Sequence, residues 1–327
     1  MNICFLDNTP FFYNSNDLNT FKLRGAETVL INIANSLTKL GHNVTIINNC
    51  PQNEKIFNIN WVNINNLSEK FFFDLAISNN DCQLFDKIVS NKKILLSHSI
   101  QVLEKFIRKN QFLSYFKHRP KVALLGKYHL KQRSYITRIF NYFILPYGVD
   151  DIFINTKLDN FKSTDNNLAI FTSRTDRNLN LLIDIWKNKI YPSFKSGKLL
   201  ITPNKDYSDN NYNIFSRILG DRKVMINDLC SSRILLVPGH KAELFCLAAE
   251  EARELCLPII TLGIGSLSER VIHGKTGFIA KNKKEFADYA IEIFRNDNTL
   301  NSIRSNLLNL RGSKTWNTCA EILLRNI

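Results

Sequence analysis

The sequence predicts an α/β protein of two doubly wound parallel-sheet domains, and three observations carry that prediction. Short apolar runs alternate with longer segments of helical periodicity. The alternation pauses once, at Pro146-Tyr147-Gly148-Val149-Asp150-Asp151, and then restarts. At 327 residues, 44% of them hydrophobic, the chain is long and apolar enough for two cores. Strand, helix and strand in that order call for parallel strands joined by right-handed crossovers.

In the first half, the expected strands are Ile3–Leu6, Val44–Ile47, Leu75–Ile77, Lys93–Leu96, Val122–Leu125 and Phe143–Leu145. Between the first two, Ala26–Leu40 places Val29, Leu30, Ile33, Ala34 and Leu37 on one helical face, and Gly41 supplies the stop. Pro146 ends a strand, and the polar stretch Asn155–Asn167 marks the domain boundary. Beyond it come strands at Ala169–Thr172, Leu199–Thr202, Val224–Ile226, Ile234–Val237, Pro258–Thr261 and Phe278–Ala280. Helices are expected at Asn178–Asn188, Glu243–Leu255, Lys284–Arg295 and Trp316–Ile327. The domains are therefore read as 1–148, 149–312 and a C-terminal helix, 313–327, that packs back towards the first domain. Ligands of such sheets sit at the carboxyl ends of the strands.

The stretch Leu236–Ala280 concentrates the chemistry. A strand ends at Val237-Pro238, a loop leads to Glu243, and a helix is expected to begin around Leu244 to Cys246. The first amides of a helix lack internal partners and form a positive pole that can hold a phosphate. Glu243 then stands just before the helix and Glu251 about two turns inside it, and helical spacing turns the two only about 80° apart, so both can reach one ligand if the cleft covers the helix start. Gly263, Gly265 and Gly274 keep the neighbouring loops small. Read from spacing alone, Glu243 is equally an acid complementing the helix dipole and Glu251 a surface residue beside Glu250.

The motifs in this stretch resemble those of the retaining glycosyltransferases of family 4. Glu243-Leu-Phe-Cys-Leu-Ala-Ala-Glu-Glu251-Ala is similar to that family's E-G-F-G-x-x-x-x-E-A pattern, with Leu244 and Cys246 where many members have glycine. Leu257-Pro-Ile-Ile resembles G-x-P-V-I, Gly265-Ser-Leu-Ser-Glu269 resembles G-G-x-x-E, and His273-Gly-Lys-Thr-Gly-Phe resembles D-G-x-T-G-hydrophobic. Earlier, Phe21-Lys-Leu-Arg-Gly-Ala-Glu27 and Gly41-His42-Asn-Val resemble G-G-A-E…G-H-x-V, with Arg24 replacing the first glycine. Leu145-Pro-Tyr-Gly-Val-Asp150 resembles the P-N-G-V-D linker element, and Thr172-Ser-Arg174-Thr-Asp-Arg177-Asn resembles the second domain's first loop.

The resemblance implies a GT-B fold, with two Rossmann-like domains facing a central cleft, and transfer of a hexose-type sugar from a nucleotide-diphosphate sugar with retention. It implies that Glu251 binds the donor ribose and that Glu243 lies near the anomeric centre. Arg174, Arg177, Gly25, Phe245, Cys246 and Leu247 then surround the donor, with Arg177 in the basic role usually held by Lys. His98, at the carboxyl end of a strand, is the second catalytic candidate. His129, His240 and Glu269 are weaker candidates, and Trp316 is read as packing. No Asp-x-Asp motif in family-like surroundings, metal-ligand cluster, Walker loop or G-x-G-x-x-G appears, so neither a metal nor another cofactor is expected and a nicotinamide enzyme has no support.

The formal net charge is +14. Its densest groups are Lys105-Phe-Ile-Arg108-Lys109 and Lys117-His-Arg-Pro-Lys121, which read either as a solvated surface or as a face towards anionic membrane; nucleic acid is not an expected partner. Seven scattered cysteines argue for a reducing compartment and against a disulfide framework. Met1-Asn-Ile-Cys-Phe-Leu reads as a strand instead of a signal peptide, and a cytoplasmic location is expected, at most peripheral at the inner face of a membrane. The acceptor is not identified by any motif. An epimerase of the same architecture and a catalytically silent basic membrane-binding protein are the alternatives.

Overall fold

A computed structural model describes residues 1–19, 23–67, 70–158, 165–218 and 220–327 of the chain. It divides into two compact units, one of 1–148 with 315–327 and the other of 149–314. The positions of Phe21 and Lys22 in the first-loop motif, and 159–164 of the polar stretch, lie outside the described residues.

Among the described residues the first unit holds eight strands: β1 (Asn2–Leu6), β2 (Asn43–Asn48), β3 (Glu54–Ile56), β4 (Ile59–Asn63), β5 (Phe72–Asn79), β6 (Val89–Leu96), β7 (Lys121–Leu124) and β8 (Tyr142–Ile144). Their order is β3-β4-β2-β1-β5-β6-β7-β8. Every pairing is parallel except β3 with β4. Ile3, Cys4, Phe5 and Leu6 are all buried, the continuous apolar run of a strand covered on both faces. The helix Gly25–Lys39 crosses from β1 to β2 on its buried Val29, Leu30, Ile33, Ala34 and Leu37 face, and the C-terminal helix Trp316–Arg325 packs against it.

The second unit holds β9 (Leu168–Phe171), β10 (Lys198–Ile201), β11 (Ile214–Ser216), β12 (Ile234–Leu236), β13 (Ile259–Thr261) and β14 (Gly277–Ile279). All five pairings are parallel, in the order β11-β10-β9-β12-β13-β14. The chain winds outward from β9 in one direction and from β12 in the other. The boundary between β9 and β12 is the topological switch point, where the crossovers diverge and leave a crevice at the strands' carboxyl ends.

Three expectations are corrected. Val224–Ile226 is not a strand but part of the helix Arg222–Ser231, started by Asp221, whose carboxylate accepts the Val224 N–H at 2.8 Å. The helix expected within Glu243–Leu255, with its start around Leu244 to Cys246, begins at Leu247 and runs to Glu254. The segment read as the helix Asn178–Asn188 is α-helical over Leu179–Ile185 and widens into π-type turns over Trp186–Ile190. Strands β3, β4 and β11 and the helix Asp297–Leu310 were not expected at all.

Candidate functional site

Two loops meet at the β9–β12 switch point. One follows β9 and carries Arg174 to Asn178; the other follows β12 and carries Gly239 to Cys246. Asn178 Nδ2 donates to the Gly239 carbonyl at 2.5 Å and ties them together. Arg177 Nε lies 3.4 Å from Glu243 Oε2, an ion pair by distance that lacks hydrogen-bond alignment. Glu243 Oε1 accepts the Cys246 N–H at 3.1 Å. Asp176 lies between the two arginines, 2.8 Å from Arg174 and 3.1 Å from Arg177. Arg177 is therefore held inward, whereas Arg174 is exposed to solvent.

Glu243 thus stands three residues before Cys246, outside the helix, and the expected angular relation to Glu251 along one helix does not apply. The N-terminal residue Cys246 has φ +63°, the left-handed region that glycine enters without cost and other residues rarely occupy. Its side chain is buried. The cysteine that replaces the family's usual glycine therefore keeps glycine's backbone conformation. Phe245 is buried beneath the Arg270 guanidinium, 4.2 Å from its ring centroid. Leu247 is the first helical residue, so its amide opens the helix.

The loop after β13 packs against the loop that carries Glu243. Ser266 N–H donates to the Glu243 carbonyl at 2.9 Å. Gly265 has φ +76°, and a Cβ there would lie 2.3 Å from the His240 carbonyl oxygen. Gly265→Ala should therefore cost about 3 kcal/mol. Gly41→Ala, at φ +83° with nothing near its Cβ, should cost about 1 kcal/mol. Chemical denaturation of the two variants checks the difference, and equal losses would mean that the loops do not approach as closely as described. The buried Ser266 hydroxyl has no hydrogen-bond partner among the described residues. Sequence reasoning passed over it because a serine in a glycine-rich turn carries no signal of its own.

Glu251 forms a second group, with Arg222 and Asp150. Burial raises its carboxyl to about 7, and the Arg222 charge opposes that rise. Arg222 also pairs with Asp150 of the linker motif. The neighbouring Glu250 points elsewhere. It is 1% exposed and sits 3.1 Å from Arg270 Nη1, 3.4 Å from Arg253 Nε and 2.7 Å from Lys314 Nζ. Sequence spacing gave no means of telling these two adjacent glutamates apart by environment. Glu269 lies in the short helix Leu267–Arg270. His240 Nδ1 accepts the Ala242 N–H at 3.1 Å, a turn-stabilising role.

In the first unit, Gly25 is exposed and opens the helix Gly25–Lys39. The following Glu27 is buried and accepts from Thr9 Oγ1 at 2.9 Å and from the Arg24 N–H at 3.1 Å, which clasps the loop after β1. His98 follows β6. Its N–H donates to Asn80 Oδ1 at 2.7 Å, and Tyr147 Oη lies 3.1 Å from its Nδ1. Burial, then the nearby His129, depress the His98 imidazole to about 3, so it is neutral at ordinary pH. Tyr147, which stands where the linker motif usually has Asn, is thus the partner of His98, with its ring 5.9 Å from that of Trp316. His129 is buried, with ring nitrogens 3.3 Å from the Leu125 N–H and 3.1 Å from the Ser99 carbonyl, a structural arrangement. Among the described residues no three His, Cys, Asp or Glu side chains gather as a metal-ligand set, and no helix is long and apolar enough to cross a membrane.

A sequence model of the family described as Glycosyl transferases group 1 matches residues 218–308, the segment carrying Glu243, Glu251 and Gly265. No curated protein matches the chain in sequence. Similar solved structures include sucrose-phosphate synthase from Thermosynechococcus elongatus, 13% identical with a TM-score of 0.71, covering 99% of this chain and 97% of that one. HepE from Anabaena, crystallised with UDP and glucose, is 14% identical with a TM-score of 0.71, covering 100% and 99%. WaaG, a glycosyltransferase involved in lipopolysaccharide biosynthesis, is 12% identical with a TM-score of 0.66, covering 98% of each chain. The fold is GT-B, its two parallel-sheet units matched along nearly their whole length.

Proposed function

We propose that this chain, a glycosyltransferase of group 1 on a GT-B fold, moves a hexose-type sugar from a nucleoside diphosphate to an acceptor hydroxyl with retention and without a metal ion. The observation that carries this reading is the Arg177–Glu243–Cys246 arrangement at the β9–β12 switch point. Arg177 and Arg174 meet the donor diphosphate with charge-assisted hydrogen bonds, and the helix opening at Leu247 adds a positive pole. Glu251 accepts from the donor ribose. Glu243, held by Arg177 and the Cys246 amide, faces the transferred sugar. The acceptor oxygen bonds to the anomeric carbon on the face from which the diphosphate departs. The carbon–oxygen bond to phosphate breaks, and the acceptor's proton passes to the departing phosphate oxygen. His98, neutral and steadied by Tyr147, offers hydrogen bonds to sugar or acceptor and does not act as a charged acid. Since HepE was crystallised with UDP and with UDP-glucose, a uridine donor is the first to test. Seven cysteines that form no disulfide, most of them buried, are in keeping with a reducing, cytoplasmic location.

Incubation with UDP-, GDP- and ADP-hexoses and a mixture of glycan and glycolipid acceptors tests this reading. Released nucleoside diphosphate with a glycoside of unchanged anomeric configuration, read by proton NMR, is the expected result. An inverted product would remove the retaining mechanism, and a new free sugar formed without acceptor would replace transfer by epimerisation. Nucleotide affinity should also depend on pH. Ribose hydroxyls donate to the ionised form of Glu251, which carries its proton up to about pH 7. Affinity should therefore rise to a plateau above pH 7 and fall by up to about tenfold per unit below it. Calorimetric titration of Glu251→Gln should show weaker binding with no such slope.

A further inference from the structure

The cationic charge of the chain is not evenly spread. Between Val102 and Tyr142 stand ten Lys or Arg residues against one acid, Glu104. Three segments of this region share an aromatic seam, buried at Phe106, Tyr115 and Phe140. Phe106 lies edge-on to Tyr115 at 4.4 Å, and Tyr115 and Phe116 both meet Phe140, at 5.2 and 5.4 Å. The Ser134 N–H also donates to the Gln101 carbonyl at 2.9 Å, which fastens the third segment to the first. The helices Leu103–Arg108 and Phe112–His118 and the 3₁₀ turn Tyr135–Ile139 are thereby fixed around one point of the N-terminal unit.

Around that seam, large apolar side chains face outward. Ile107 is 59% exposed, Leu113 80%, Tyr135 87% and Ile139 63%, with Phe116 and Ile136 also exposed. Leu113 and Phe116 are three apart on one helix and share a face. Ile136 and Ile139 are eclipsed in the 3₁₀ turn. Scattered single apolar residues on a surface need no explanation, but several gathered on one packed subassembly do. The cations lie among them. Arg108, Lys109, Arg119, Lys131 and Arg138 have no carboxylate partner among the described residues. An exposed apolar set fringed by free cations fits one kind of surface, in which apolar side chains sink to the acyl boundary while the cations meet anionic headgroups.

We propose that the face built from residues 102–142 docks the N-terminal unit onto an anionic lipid bilayer, with Leu113 and Ile139 entering the interface and Arg108, Lys109 and Arg138 meeting the headgroups. A polar-headgroup contact alone would not call for Leu113 and Tyr135 to stand in water, and a nucleic-acid contact would not call for aliphatic side chains among the cations. The docking uses no residue assigned to the donor site.

Flotation of the full chain with vesicles tests it. The wild type should float with mixed phosphatidylcholine–phosphatidylglycerol vesicles at low salt, far less at high salt, and hardly at all with phosphatidylcholine alone. Lys109→Glu and Arg138→Glu should each lower partitioning by roughly fivefold or more, and Leu113→Asp with Ile139→Asp should abolish it. All four substitutions are at exposed positions, so thermal midpoint and nucleotide binding should stay as in the wild type. Absence of flotation at low salt overturns the proposal while leaving the donor site standing. So does flotation that the Leu113→Asp, Ile139→Asp variant retains in full, which would reduce the face to a diffuse electrostatic contact. Concentration-dependent self-association abolished by the same variant, without vesicle binding, assigns the face to a second copy and overturns it equally.

Discussion

Glu250→Ala should lower the thermal midpoint of the second unit by about 10 °C, while Glu251→Ala, one residue on, should leave it unchanged or raise it. Glu250 is almost fully buried among Arg253, Arg270 and Lys314. Removing the acid takes a shared counter-charge from the buried Arg270 and from Lys314, while Arg253 keeps Glu254, at a cost of about 3–5 kcal/mol. Burial already disfavours the Lys314 ammonium, and Glu250 is the first of the charges that counter it. Loss of Glu250 also removes a side-chain anchor of Lys314, leaving the segment Gly312–Lys314 held through the Gly312 N–H to Glu254 Oε2 at 2.7 Å and the Val149 N–H to the Lys314 carbonyl at 3.0 Å. Glu251 has the opposite balance. Its carboxyl is raised to about 7 by burial, so the folded chain holds a proton that the unfolded chain releases near pH 4.5. Stability is accordingly lost as pH rises from the unfolded to the folded value, and the penalty is complete above pH 7. Glu251→Gln should therefore be more stable than wild type at pH 8 and equal to it at pH 4. Paired thermal scans at the two pH values read both effects. A Glu251→Gln variant less stable at pH 8 would mean that Glu251 is a structural ion-pair member like its neighbour.

If Glu243 faces the reacting centre as proposed, Glu243→Gln should reduce kcat by about 10²–10³-fold with little change in donor KM, because a fixed charge there acts mainly in the transition state. Arg177→Ala should weaken donor binding as well as turnover, since the same guanidinium would meet the diphosphate and hold Glu243 at 3.4 Å. The double variant should lose far less than the two single losses combined. Residues in direct contact couple by about 0.5–3 kcal/mol. Steady-state kinetics on the three variants decide this, and strict additivity would show that Arg177 does not position Glu243.

Much of the fold was legible because its strands are covered on both faces. Ile3–Leu6 and Ile234–Val237 read as unbroken apolar runs bounded by turns, and the strands Asn2–Leu6 and Ile234–Leu236 form there. The missed strands are short or polar. β4, Ile-Asn-Trp-Val-Asn, buries only alternate residues deeply, and β3 and β11 are three-residue edge strands. The helix Asp297–Leu310 buries Leu300, Ile303 and Leu307 at helical spacing, but its asparagines lower the propensity that would have flagged it. Val224–Ile226 was misread because three adjacent apolar residues carry no period. The Asp221 cap just before them was the signal that settles the matter.

In the candidate site, the residue types were legible and their grouping was not. Arg177 meets Glu243 only because Asn178 and Gly239 join two loops 61 residues apart. The helix start at Leu247 depends on the left-handed backbone of Cys246, which no cysteine propensity would suggest. The partnership of Tyr147 with His98 likewise joins positions 49 residues apart in sequence.

A thermal-shift titration of UDP, GDP, ADP, CMP and dTDP against wild type and Glu251→Ala tests the donor site most directly. One nucleoside diphosphate should stabilise the wild type by about 2.7 kcal/mol when present at about 100 times its dissociation constant. The same nucleotide should leave Glu251→Ala nearly unshifted, although that variant folds. A wild type that no nucleotide stabilises at millimolar concentration, with or without Mg²⁺, or a Glu251→Ala variant stabilised as strongly as wild type, would contradict a donor site built on Glu251.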